Sequence, residues 1–186
     1  MHAAYIHKRP AVARSMRSAY ITIMDRTTNL LGAMALALTD RINAGMKDIF
    51  ERSGESAAAI IVLGYAPGSS IEILRQVLDR SHAGTVRLVD RLEEDGLVER
   101  RKATGRVVPV HLTAKGKSLR EKLMDSRLDV LEQGLKGLSG KERQAFGDLL
   151  AKVLNNLPEN EIAKHRICRL CSVSTCRECP IPGNAF

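Results

Sequence analysis

Apolar residues recur through residues 19–52 in steps that are mostly three or four: Tyr20, Ile23, Met24, Leu30, Leu31, Met34, Leu38, Ile42, Met46, Ile49 and Phe50. That is the period of one face of an α-helix, and no proline interrupts it. The pattern predicts one long helix within a first segment, residues 19–55. A helix of about thirty residues is long for a globular domain. The helices beside it are too few to cover its stripe, so a second copy of the chain is expected to do so.

After the stop at Ser53-Gly54-Glu55-Ser56, residues 57–65 (AAAIIVLGY) predict a short buried helix, and Ala66-Pro67-Gly68 a turn. Ser69, with Glu72 three residues on, has the spacing of a capping box. Ile71, Leu74, Val77 and Leu78 then form an inner helix face. Asp79-Arg80-Ser81 turns the chain, with Ser81 as the N-cap of a second helix. In it Thr85, Leu88, Val89 and Leu92 face inward, while Ala83, Arg87 and Asp90 point outward, with His82 and Val86 on a flank. Gly96 supplies the left-handed stop. Residues 97–102 and 106–112 predict two strands around Ala103-Thr104-Gly105, with Val108, Val110 and Leu112 on one face and Pro109 favouring an edge. Residues 56–113 therefore predict a winged helix-turn-helix.

Thr113 caps a further long helix to about Leu138, marked by Leu119, Leu123, Leu128, Leu131 and Leu135. Ser139 and Glu142 repeat the capping-box spacing, and a last helix carries Phe146, Leu149, Leu150, Val153 and Leu154 before Pro158 ends it. Residues 114–157 are thus a second helical region. The predicted class is mainly α: a winged helix-turn-helix between long N- and C-terminal dimerisation helices. Residues 1–18 form a basic arm and residues 158–186 a cysteine-rich tail.

Composition narrows this. Hydrophobic residues make up 44% of the 186, aromatics only 3% and Trp none, so aliphatic side chains must fill the core. That favours helix packing over a β-sandwich. The formal net charge is +8, which suits a polyanionic partner. No apolar run approaches the ~20 residues of a membrane span, and the start lacks the apolar core of a secretory signal. A cytoplasmic protein away from membranes is expected.

The charge is concentrated where a winged helix would meet DNA. Arg100, Arg101, Lys102 and Arg106 crowd the hairpin, where cations can follow phosphates. Ser81 and His82 open the second helix, whose backbone N–H groups can meet phosphate. Arg87 can pair with guanine, Val86 can meet a thymine methyl, and Arg91 lies on the same helix. Gly84 within that helix costs up to about 1 kcal/mol relative to Ala. It either permits close approach to DNA or is tolerated near a helix start.

Three runs make this specific: Arg87-Leu88-Val89-Asp90-Arg91-Leu92-Glu93, Gly96-Leu97-Val98-Glu99-Arg100, and Val110-His111-Leu112-Thr113-Ala114-Lys115-Gly116. In this order they resemble the MarR family of bacterial transcription regulators over roughly residues 20–157. The resemblance implies a helical homodimer with two winged lobes that binds a pseudo-palindromic operator, usually as a repressor. It also implies release by a small-molecule effector or by oxidation, and puts Arg106 at the wing tip. The wing is shorter than usual, and Thr104 stands where an acid is expected. A non-specific architectural DNA-binding protein is the nearest alternative. A metal- or thiol-dependent enzyme is another, although no phosphate loop, Ser/His/Asp motif or HExxH supports it.

The tail carries separate chemistry. Cys168-x2-Cys171-x4-Cys176-x2-Cys179-Pro180 contains all four cysteines of the chain. Each CxxC can direct two thiolates at one ion, and four thiolates suit tetrahedral Zn2+. An iron–sulfur cluster and metal-free, oxidisable thiols are the alternatives. Arg166, Arg169 and Arg177 nearby are expected to favour the thiolate form.

Overall fold

The computed structural model describes residues 25–52, 54–103, 105, 107–172, 176 and 179–181. Helix α1 spans Arg26–Ile49, α2 Gly54–Tyr65, α3 Ile71–Leu78 and α4 His82–Glu94. Strands β1 (Val98–Arg100) and β2 (Val110–Leu112) follow, then α5 (Ala114–Leu135), α6 (Gly140–Asn155) and α7 (Glu161–Cys168). Compact contacts divide the chain into Met1–Asp40 and Arg41–Phe186.

In the first unit the backbone N–H of Thr28 donates to Asp25 Oδ1 at 2.7 Å. This is an N-cap arrangement, and it marks a helix start inside the long predicted pattern. Residues 19–24 of that prediction lie outside the described residues. Leu30, Leu31 and Leu36 of this stretch are exposed, Leu36 to 70%.

The core of the second unit lies around α2, whose Ala57 to Leu63 are all buried. Such an all-round apolar helix must be central. It packs on α5, α3 and β2, and α3 packs on α4. Leu74, Val77 and Leu78 of α3, Thr85, Leu88, Val89 and Leu92 of α4, and Leu123 and Met124 of α5 close around it. The inward positions expected for both helices of the helix-turn-helix are the buried ones, except Ile71 at the start of α3, which is half-buried.

Three caps follow local rules: the side chains of Ser81, Thr113 and Ser139 accept from the N–H groups of Gly84, Gly116 and Glu142. The capping box at Ser139 is complete. The one expected at Ser69 is not formed. Ser70 caps α3 by accepting from Ile73 N, and Ser69 Oγ donates to the Ala66 carbonyl at 2.7 Å. Glu72 instead accepts from Arg75 and Gln76.

The two strands pair antiparallel, Val98 with Leu112 and Arg100 with Val110, and are shorter than expected. Val110 is also tied to the turn before α3, donating to the Ser69 carbonyl at 3.1 Å and accepting from Gly68 N at 3.0 Å. Val110 and Leu112 are buried, whereas Val108, expected on the same face, is exposed beyond the sheet. Gly116 seats the start of α5 against this hairpin: a Cβ there would lie 2.0 Å from the Leu97 carbonyl oxygen.

The region expected to be only a tail contains α7, capped by Asn160, and this helix packs on α3. By contrast, no residue of α6 is buried within the chain.

Candidate nucleic-acid interface

The turn between α3 and α4 is made by Asp79, which is left-handed at φ 54°. A short polar side chain tolerates that conformation better than most. Ser81 then opens α4 with its hydroxyl on Gly84 N at 3.1 Å, and Thr85 Oγ1 donates to the Ser81 carbonyl at 3.0 Å. A Cβ at position 84 would come within 3.0 Å of Ser81 Oγ. Gly84 is buried under the cap; it does not face the open side of the helix, so its reason is local packing.

His82 is the first residue of α4 and is exposed, as are Ser81, Arg87 and Arg91. Val86 is half-buried on the same flank. The Arg91 Nε–H donates to the Arg87 carbonyl at 3.2 Å. One open helix face therefore carries hydroxyl, imidazole, methyl and guanidinium groups.

Arg100, grouped by sequence with the wing cations, has a different place. Its side chain is 26% exposed and pairs with Asp90 at 2.6 Å and with Glu93. Its backbone N–H also donates to Glu93 at 2.9 Å. Burial opposes the charge, but the hydrogen bonds to Asp90 and Glu93 outweigh it and hold the guanidinium protonated above its ordinary range. Arg100 is thus a brace between β1 and α4. Asp90, expected on the outward face, turns to that brace. The signal was present in the sequence: Asp90 and Glu93 are one helical turn apart, and Arg100 is the next cation on their side.

Beyond the brace, Arg101 and Lys102 are exposed, and Arg101 pairs with Glu99 at 2.8 Å. Arg106 and Thr104, named for the wing tip, lie outside the described residues. The far end of α4 is anchored too. Arg52 donates to both carboxylate oxygens of Asp95 at 2.8 Å, and Lys115 Nζ donates to the Asp95 carbonyl at 2.8 Å.

A contact that pattern reading missed joins α7 to the helix-turn-helix. Arg166 donates to the Gln76 carbonyl at 3.1 Å and to Asp79 at 2.6 Å. It caps the carbonyl end of α3, where a cation is favoured, and holds the side chain of the turn residue. Arg166 is therefore engaged away from the thiols it was expected to influence. Arg127 of α5 is the guanidinium that acts on Cys171, whose pKa is pulled down to about 6 chiefly by a hydrogen bond with Cys168. Arg177 lies outside the described residues.

Beside this contact is a cavity of about 770 Å3, bounded by the end of α1, the start of α2, the end of α3 and the tail. Met46, Phe50, Val77 and Leu170 supply apolar wall, and Lys47, Arg52, Arg166 and Arg169 supply cations.

No family model matches the sequence, and no curated protein does. Solved structures do match. A MarR-family transcriptional regulator from Silicibacter pomeroyi is 26% identical, with a TM-score of 0.56 over 69% of this chain and 90% of that one. This chain has the MarR-type winged-helix fold. MepR, a transcription regulator of the Staphylococcus aureus multidrug efflux pump MepA, shares that fold at 19% identity. Its TM-score is 0.61 over 73% of this chain and 100% of MepR. So does a Mycobacterium tuberculosis MarR-family protein solved with salicylic acid, at 20% identity and a TM-score of 0.54 over 70% and 96% of the two chains. In this MarR-type frame α3 and α4 are the two helices of the helix-turn-helix and the β1–β2 hairpin is the wing. Among the described residues no helix is long and apolar enough to cross a membrane.

Proposed function

We propose that the chain is a DNA-binding transcriptional regulator, acting as a repressor and binding a pseudo-palindromic operator as a homodimer. The observation that carries this reading is the division of labour around α4. Its inner face is fixed by core packing, its start by the Ser81 cap, and its C-terminal half by the Arg100 brace and the Arg52–Asp95 pair. Its open face carries Ser81, His82, Val86, Arg87 and Arg91, with Arg101 and Lys102 following on the wing. A rigid helix with adaptable polar tips suits major-groove readout, and flanking cations suit phosphate. The exposed apolar positions of α1 and α6 are the surface a second copy would cover. Nothing in this arrangement calls for turnover.

Selection from random duplexes, followed by titration of the enriched sequence against scrambled DNA, tests the reading. Two-fold symmetric winners bound ~10^3-fold or more above scrambled duplex are expected. Equal binding to every duplex would replace the regulator with an architectural protein.

An effector fits the same frame. The cavity of about 770 Å3 pairs an apolar wall at Phe50 and Leu170 with Lys47 and Arg169; Glu51 and Glu55 also line it, and Arg166 is held by Asp79. The pairing suits an organic anion with an apolar body, the class to which the salicylic acid of the M. tuberculosis relative belongs. Calorimetric titration with salicylate, on wild type and Arg169→Ala, is the direct measurement. Binding that ignores the substitution would remove this cavity as the effector site.

A further inference from the structure

The four cysteines are the chemistry that the DNA-binding reading leaves unused. They follow one another at the end of α7 and just beyond it. Cys168 is the last residue of α7 and is buried. Cys171 turns back on it, donating its N–H to the Cys168 carbonyl at 2.8 Å, and Cys176 N donates to the Ser172 carbonyl at 3.1 Å. The neighbouring thiols of Cys171 and Cys179 hold the Cys168 thiol protonated, together with its burial, and Cys179 and Cys171 act on Cys176 in the same direction. Both CxxC pairs lie within twelve residues of chain, and the Cys176–Ser172 bond ties the second pair to the residue after the first.

After α7 the segment has no regular secondary structure among the described residues. Ile181 is its buried hydrophobic side chain beyond Cys168, with Leu170 partly buried on the core. So short a stretch with so little apolar burial needs a staple to hold one conformation. Its docking partner is nonetheless specific: α7 lies on α3, and Arg166 caps α3 and grips Asp79.

We propose that Cys168, Cys171, Cys176 and Cys179 form a tetrathiolate metal site that clamps α7 onto the helix-turn-helix. The shared chemistry is four thiolates, which serve Zn2+ or an iron–sulfur cluster alike. Taking up Zn2+ replaces four S–H protons with four Zn–S bonds and releases those protons to solvent. The resulting centre carries a net charge of about −2. Arg127 acts on Cys171, and Arg120 and Arg169 act on Tyr65, as do Cys168 and Cys171, so guanidinium groups share the neighbourhood in which that charge would form. Among the described residues no group of three or more His, Cys, Asp or Glu side chains is already set to hold an ion. The ion must therefore draw the thiols to about 3.8 Å from one another, the edge of a tetrahedron with Zn–S bonds of about 2.3 Å. That contraction is what fixes the end of α7 and makes the site a clamp.

The site stands independently of DNA binding, and its test needs no DNA. Full-length protein purified under argon without chelator is expected to carry about one zinc per chain, or iron with matching sulfide and a visible absorption band. Cys176 is exposed, so Cys176→Ser is the variant that spares the core. It should lose bound metal at least about tenfold on dialysis, at unchanged far-UV circular dichroism. Stripping the metal from wild type should speed amide exchange in α7 at least about tenfold. Protein with negligible metal and four rapidly alkylated thiols overturns the proposal, as does protein recovered with these cysteines as disulfides. Exchange in α7 that ignores metal removal overturns the clamp.

Discussion

The winged lobe and the α6 helix spend their apolar residues in opposite ways. In the lobe Leu74, Leu88, Leu92 and Val110 are each 1% exposed or less. In α6, with the same helical period, Leu149 is 59% exposed and no residue is buried. The N-terminal half of α1 resembles α6, with Leu36 at 70%. Amphipathic periodicity alone therefore does not identify a core. It identifies a face that will be covered, and the lobe covers its own. The stability of the lobe should be a property of one chain, and, if the proposed homodimer forms, that of α1 and α6 a property of two.

The largest expected effect breaks the lobe. Leu88→Ala removes a fully buried side chain from α4 and should cost about 2–5 kcal/mol, read by urea denaturation. A loss below about 1 kcal/mol would mean that the lobe core is not closed within the chain. Leu149→Glu probes the other region. Covering a leucine stabilises by about 1.5–3 kcal/mol, so the dimer dissociation constant should rise at least about tenfold in sedimentation. A Leu149→Glu protein that associates as tightly as wild type would show that α6 is covered by something other than a second copy.

A middle-sized effect sharpens the comparison inside the lobe. Arg100→Ala leaves Asp90 and Glu93 without their shared cation at a partly buried position. Hydrogen bonds to charged groups of this kind are worth about 1.5–3 kcal/mol. Partial exposure reduces that, and about 1–2 kcal/mol of unfolding free energy should be lost. DNA affinity should fall for all sequences alike, because the substitution loosens α4 without removing a base contact. A change in sequence preference at constant stability would instead make Arg100 a reader.

Much of this was legible from local rules. Periodicity picked out Leu74, Val77, Thr85, Leu88 and Leu92, because a helix face is set by spacing alone. The caps at Ser81, Thr113 and Ser139 followed from one side chain meeting an N–H three residues on. Where long-range pairing decides, local reading failed. Ser69 has the right spacing to cap α3, but the bonds linking it to Val110 and Ala66 claim it for the turn, so Ser70 caps one residue later. Helix α7 was hidden because it is only 8 residues long, and Arg166 meets a partner 90 positions away. Charge was legible as location but not as commitment. Arg100 and Arg101 are neighbours in sequence, yet one is a brace between α4 and β1 and the other is exposed beside Glu99.

The smallest effect on stability should be the most informative about function. Arg87 is exposed on the open face of α4, opposite the buried Thr85, Leu88 and Val89. Truncating it removes no core contact, and Arg87→Ala should unfold within about 0.5 kcal/mol of wild type. If Arg87 reads a guanine, discrimination at one base pair of each half-site should drop by about 1–3 kcal/mol. Binding to scrambled duplex should change far less. Arg101→Ala is the control, since a phosphate contact weakens all duplexes equally and lowers the salt slope by about one. The pair of variants separates positioning from reading on two residues of similar exposure. If Arg87→Ala instead weakened every duplex equally, α4 would be holding the backbone, and the base-reading face would have to be sought on the wing.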